Sequence, residues 1–151
     1  MMDQTQKMDA LGRMGEKIIV NHLSKQGLTV EESIDPYDRY KDLIADGKTV
    51  EVKTQVPFIM ERAFTIKENQ LPKCRSVDYL YFVCVPAPSK TFKWDGWIFK
   101  ADPKQFKTRT RRTKDGRNMV LIDIEQDALE PVEKMTDTHI EQLKKYTVSK
   151  Y

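Results

Sequence analysis

The sequence holds no apolar run approaching the ~20 residues that a membrane span requires, and its N-terminus, MMDQTQKMD, lacks a signal-peptide core. Its two cysteines, Cys74 and Cys84, stand outside any CxxC spacing, so neither a disulfide framework nor a zinc cluster is available. The two histidines, His22 and His139, are far apart and lack metal-ligand spacing. Repeats and low-complexity linkers are absent. These shortages exclude membrane, secreted and zinc-module classes, and a cytoplasmic (intracellular) protein is expected. What is present suits one domain: 151 residues, 39% of them hydrophobic. The charged fraction, 32%, is above the usual quarter.

That charge is unevenly spread. Residues 104–117 (KQFKTRTRRTKDGR) carry seven of the 26 Lys/Arg and one of the 23 acids, a net of +6. The remainder carries 19 bases and 22 acids, a net of −3. A block of this kind is either a solvated surface or the footprint of a polyanion partner.

Glycines punctuate the chain. Gly27 ends a helical pattern as a C-cap. Gly47, Gly96 and Gly116 each follow an aspartate, and Asp-Gly between strand-like runs signals a type I′ hairpin. Gly12 and Gly15 lie inside the helix expected over Asp9–Gln26, on the face of Leu11, Met14, Ile18, Ile19 and Leu23. Glycine there costs about 1 kcal/mol of helix stability, so close packing against another element is expected. Glu16 falls at the margin of that face. Strands are expected at Leu28–Glu32, Lys41–Ala45, Lys48–Gln55 and Tyr79–Val85, with Phe92–Trp94 pairing Trp97–Phe99 across the second turn. A helix over Thr136–Tyr146 has Thr138 and Glu141 spaced as a capping box. The expected class is α/β or α+β, with a mixed sheet flanked by helices and an additional β-hairpin or ribbon. Residues 1–8 are expected to form a flexible N-terminus. Residues 9–151 form one domain, with a core to about residue 100, a ribbon near 104–122 and a helix near 136–148.

The first hairpin, KDLIADGKTVEVKTQ, fixes its own register. A two-residue turn at Asp46-Gly47 sets Leu43 opposite Val50 and Asp42 opposite Glu51, with Lys53 and Gln55 on the same face. Like charges across a ladder call for compensation. The face is either solvated and partly neutralised by Lys53, or carries a carboxyl with a raised pKa, or holds a hard divalent cation.

The order Glu16, then Asp42, then Glu51-Val52-Lys53 resembles the active-site signature of the PD-(D/E)XK (restriction-endonuclease-like) nuclease superfamily. The resemblance covers about residues 9–85. Two departures are Lys41 in place of the motif's proline and Ile59 where an exonuclease-like branch has tyrosine. The resemblance implies Mg²⁺-dependent hydrolysis of DNA phosphodiester bonds, with Mn²⁺ able to substitute. Asp42, Glu51 and the Val52 carbonyl would ligate the metal, and Lys53 would orient water and stabilise charge on phosphorus. Glu16 would hold metal-bound water or a second cation, and Gln55 would position water or phosphate.

The basic stretch then has a use. Thr108–Arg111 alternates in a β-like manner, and Asp115-Gly116 could turn it onto Asn118–Ile122. Lys104, Lys107, Arg109, Arg111, Arg112, Lys114 and Arg117 are the candidate DNA contacts, with Lys107, Arg109 and Arg111 on one face to read a groove or grip phosphate. Lys67, Gln70, Lys73 and Arg75 are weaker ones. The expected partner is double-stranded or branched DNA. A homodimer or dimer of dimers is expected because duplex cleavage needs two sites, with Ile140, Leu143 and Tyr146 as contact positions. A sequence-specific endonuclease of restriction or homing type is the leading expectation. A Holliday junction resolvase and a non-catalytic DNA-binding protein are the alternatives.

Overall fold

The computed structural model describes residues 3–32, 42–57, 62–87, 92–114, 116 and 119–147. In chain order they form α1 (Gln4–Lys25), β1 (Val30–Glu32), β2 (Leu43–Ala45), β3 (Lys48–Gln55), β4 (Ala63–Lys67), α2 (Leu71–Ser76), β5 (Tyr79–Cys84), β6 (Trp97–Ala101), β7 (Arg109–Arg112), β8 (Val120–Glu125), β9 (Glu130–Lys134) and α3 (Asp137–Lys144). Six strands make a mixed sheet in the order β1-β2-β3-β5-β6-β9, and β4-β8-β7 make a second, antiparallel sheet. No helix among the described residues is long and apolar enough to cross a membrane.

β3 and β5 are parallel and central, and both faces of the six-stranded sheet are covered. α1 and α3 cover one face, where Ile18, Ile19, Leu23 and Leu143 pack with Val50, Val52, Tyr81 and Val83. α2 and the second sheet cover the other, through Phe64, Ile66, Cys74, Phe82, Ile122 and Ile124. Phe64 stacks on Phe82 at 4.7 Å and so joins the two sheets. This double covering is why YLYFVC reads as a continuous apolar run rather than an alternation.

The first hairpin forms as its turn chemistry dictates. Asp46 and Gly47 both have positive φ (46° and 80°), and Leu43 pairs Val50 while Ala45 pairs Lys48. Helix α1 begins at Gln4, not Asp9. Asp3 and Gln6 form a capping box there, so residues 4–8 are helical instead of a flexible lead. A Cβ on Gly15 would meet a close neighbour, Thr54 of β3, while among the described residues one on Gly12 would meet nothing within 4 Å.

Three other expectations change. Residues 93–96 are a turn, and β6 pairs β5 and β9, so Phe92–Trp94 is no strand; Trp94 and Trp97 pack edge to face at 5.1 Å. The cap of α3 is Thr136, whose side chain accepts from the His139 N–H, not Thr138. β7 and β8 do pair, with Arg112 opposite Val120, but across a connection longer than two residues; Asp115, Arg117 and Asn118 lie outside the described residues. The ribbon is therefore one edge of a three-stranded sheet and not a free arm. Lys41 and residues 148–151 also lie outside the described residues.

Candidate active site

The site lies where β2 begins, just after Asp42, beside β3. The Asp42 N–H donates to the Val50 carbonyl at 2.9 Å, and the Val52 N–H donates to Asp42 Oδ2 at 2.9 Å. Asp42 thus continues the ladder with its side chain after the backbone pairing stops at Leu43. An extended residue points its N–H and C=O to one side, so the Val52 carbonyl lies on this same edge of β3, beside the Asp42 carboxylate.

Glu51 points to the opposite face from Val50 and Val52, toward α2, and is 1% exposed. Burial, followed by the hydrogen bond and charge of Asp42, raises its carboxyl pKa, against the opposing pull of Lys53 and Lys73. Lys53 Nζ stands 3.8 Å from Glu51 Oε1 and donates to Gln70 Oε1 at 3.3 Å. Lys73 Nζ lies between the two carboxylates, 2.8 Å from Glu51 Oε2 and 3.3 Å from Asp42 Oδ1. Among the described residues Oε2 has no well-aligned hydrogen-bond donor despite that short ion pair. Burial works against the charge on Lys73, but Glu51 and Asp42 outweigh it and raise its pKa.

Glu16 reaches the site from α1. Gly15 lets the helix sit directly on Thr54, and the next residue then feels Asp42. Burial first, then Asp42 and Glu32, push the Glu16 carboxyl up to about 7, while Lys73 and Arg13 oppose. Among the described residues no three His, Cys, Asp or Glu side chains are gathered to hold a metal. Asp42 and Glu51 form the close pair, and Glu16 stands outside it. The pair suits a hard divalent ion: two carboxylates and a neighbouring carbonyl supply oxygen donors, and the two carboxylates already converge on one cationic group.

Gln55 does not face the site with a disengaged amide. Its Nε2 donates to the Thr65 carbonyl at 2.5 Å and its Oε1 accepts from the Thr65 N–H at 2.8 Å, so it completes the edge of β4. Thr65 Oγ1 donates in turn to Asp123 Oδ1 at 2.7 Å. Arg111 holds the same Asp123 through two hydrogen bonds, 2.6 and 3.1 Å, and Arg109 lies 3.9 Å from it and 3.6 Å from Glu125. Arg109 and Arg111 share a face as expected, but that face is directed at the ribbon's own acids. Lys104, Lys107, Arg112 and Lys114 are exposed. Arg117 lies outside the described residues.

The remaining candidates resolve simply. His22 is buried against Tyr81 and pairs Glu133 at 2.6 Å, and Lys25 binds the other oxygen of Glu133 at 2.8 Å. Burial pushes the Cys74 thiol up to about 11 and the Cys84 thiol up to about 12, so both behave as apolar groups. Leu143 is fully buried and serves the fold rather than a dimer contact, while Ile140 packs on the same core and stays partly exposed. Lys73 is the residue that sequence reasoning placed elsewhere, among weak DNA contacts. The demand of two opposed carboxylates for compensation was the available signal.

The stretch that carries the PD-(D/E)XK resemblance folds as α1, the β2–β3 hairpin, β4, α2 and β5, with β3 and β5 parallel. No protein-family model matches the sequence, and no curated protein matches it. Among solved structures the chain is similar to Hjc, a Holliday junction resolvase from the archaeal hyperthermophile Archaeoglobus fulgidus. The identity is 12%, the match covers 78% of this chain and 85% of that one, and the TM-score is 0.48.

Proposed function

We propose that this protein is a metal-dependent endodeoxyribonuclease. The observation that carries the reading is the convergence of Asp42 and Glu51 beside Lys53, in the order and on the elements that the signature requires. Asp42, Glu51 and the Val52 carbonyl would hold Mg²⁺ or Mn²⁺. When bound, the cation supplies polarisation of the phosphate and a lowered pKa for water. Lys53 places positive charge where negative charge grows on the phosphate, and its hydrogen bond to Gln70 fixes the direction of its stem. Glu16 binds water on the Asp42 side. The exposed Lys104, Lys107, Arg112 and Lys114 hold the DNA backbone. Two copies act together on a duplex, since each chain carries one such site.

Sequence-specific cutting through this ribbon would need its arginines aimed at base edges. Arg109 and Arg111 are aimed at Asp123, which favours a second reading, recognition of branched DNA through phosphates and shape. The test is a Mg²⁺-dependent digest of plasmid, a synthetic four-way junction and random-sequence duplex, with Glu51→Ala and Lys53→Ala alongside. Cutting by the wild type alone is expected. Cuts at the branch point support the second reading, and cuts at a defined sequence support the first. Undiminished cutting by either variant, or no cutting of any substrate, refutes the assignment.

A further inference from the structure

Lys73 raises a separate question, because the position between two carboxylates is where a divalent cation would sit. Among the described residues its ammonium is the closest positive group to Glu51, and it also reaches Asp42, at 2.8 and 3.3 Å. Lys53, the lysine of the signature, is farther from Glu51, at 3.8 Å, and is held by Gln70. The main chain of Lys73 is anchored, since its neighbour Cys74 is fully buried. Its side chain is 20% exposed, so a route to solvent remains open. A lysine ammonium rides on a flexible four-carbon stem, which lets the charge move while the backbone stays.

We propose that Lys73 is the resident counter-cation of the metal site: its ammonium occupies the space between Asp42 and Glu51 in the metal-free protein, and a divalent cation must displace it to enter. This rests on the nuclease reading above. A buried carboxylate that loses its nearest positive partner is destabilised, and without Lys73 only Lys53 at 3.8 Å would remain by Glu51, so the metal-free fold leans on Lys73. Two cations competing for the same oxygens also repel each other at this range. The lysine would therefore stabilise the two carboxylates whenever no metal is bound and weaken a metal's hold on them. Its charge, not its bulk, is the operative property.

The experiment is calorimetric titration with Mn²⁺ of the whole chain as wild type, Lys73→Gln, Lys73→Arg and Glu51→Gln, with thermal melts in EDTA and in Mn²⁺. Lys73→Gln is expected to bind Mn²⁺ about tenfold or more tighter than wild type, since it removes the competing charge. It is expected to melt below wild type in EDTA and to recover in Mn²⁺. Lys73→Arg keeps the charge and is expected to bind no tighter than wild type. If Lys73→Gln binds Mn²⁺ equally or more weakly while Glu51→Gln loses binding, the counter-cation role is refuted and the metal site stands. Tighter binding by Lys73→Arg refutes it as well. If wild type and both Lys73 variants bind no Mn²⁺, the metal-site reading falls and this inference falls with it.

Discussion

The contact between Gly15 and Thr54 is the joint that brings α1 to the site, and it can be tested by adding one methyl group. A Cβ built on Gly15 would overlap Thr54 Oγ1 and stand 2.8 Å from its Cβ and 3.0 Å from its Cγ2. Rotating the Thr54 side chain removes the first clash but not the second, because its Cβ is fixed by the strand. Alanine gains about 1 kcal/mol of helix propensity over glycine, whereas overpacking of this kind costs about 1–3 kcal/mol. With a fixed atom in the way the cost lies at the upper end, and Gly15→Ala should lose about 2 kcal/mol net. For a chain of this size that lowers Tm by about 4–8 °C. Gly12→Ala is the internal control: nothing among the described residues lies within 4 Å of its new Cβ, so it should raise Tm by up to about 2–4 °C. Thermal and urea melts followed by circular dichroism read both. Adding Thr54→Ala to Gly15→Ala should restore part of the loss, since Oγ1 and Cγ2 leave while Cβ remains. A Gly15→Ala protein that melts at or above wild type would refute the close approach.

Three further outcomes follow from the geometry. Arg111→Ala leaves the buried Asp123 with Thr65 and a distant Arg109, and should cost about 2–3 kcal/mol in urea melts; a loss below half of that would show the fork to be ornamental. Burial raises the pKa of Asp123, but the hydrogen bonds and charge of Arg111, with Thr65 and Arg109, outweigh it and hold the carboxyl below its ordinary 3.8. That stability is present above about pH 4 and is lost as pH falls through the lowered pKa, so the Arg111→Ala deficit should shrink in acid. Glu16 has the opposite sign: its pKa is raised from 4.5 to about 7, so its contribution is full below 4.5 and lost as pH rises through about 7. In EDTA, the Tm of wild type should fall across that window relative to Glu16→Gln, and parallel curves would contradict the assignment. Replacing Lys107, Arg112 and Lys114 by alanine should weaken DNA binding and reduce the slope of log K against log salt by about 0.9 per lost phosphate contact; an unchanged slope would move the DNA surface elsewhere.

The legible part of the fold is the part governed by local chemistry. Asp46-Gly47 specified a turn with both central φ positive, and that turn fixed the register carrying Asp42 to Glu51 without tertiary information. β3 runs over Lys48–Gln55 as the pattern indicates. β9, EPVEK, was not legible because it is an edge strand. A proline and three charges protect such an edge from further pairing and also erase its strand signal. Lys73 was not legible as a site residue either. It comes from a helix of six residues whose docking under β3 depends on Cys74, Val77 and the second sheet. The basic ribbon was legible as charge but not in its engagement, because only the pairing of β7 with β8 sets Arg109 across from Asp123.

The link through Gln55 has a mechanical consequence. From the strand that carries Glu51 and Lys53, hydrogen bonds run through the Gln55 amide to Thr65, from the Thr65 hydroxyl to Asp123, and from Asp123 to Arg111 on β7. Every joint in this series is short, and its central carboxylate is 1% exposed, so water offers no substitute partner if a joint opens. The ribbon and β3 must then travel as one body. If DNA holds the β7 edge as proposed, a load applied there would arrive at the carboxylates as a displacement and would not be absorbed on the way.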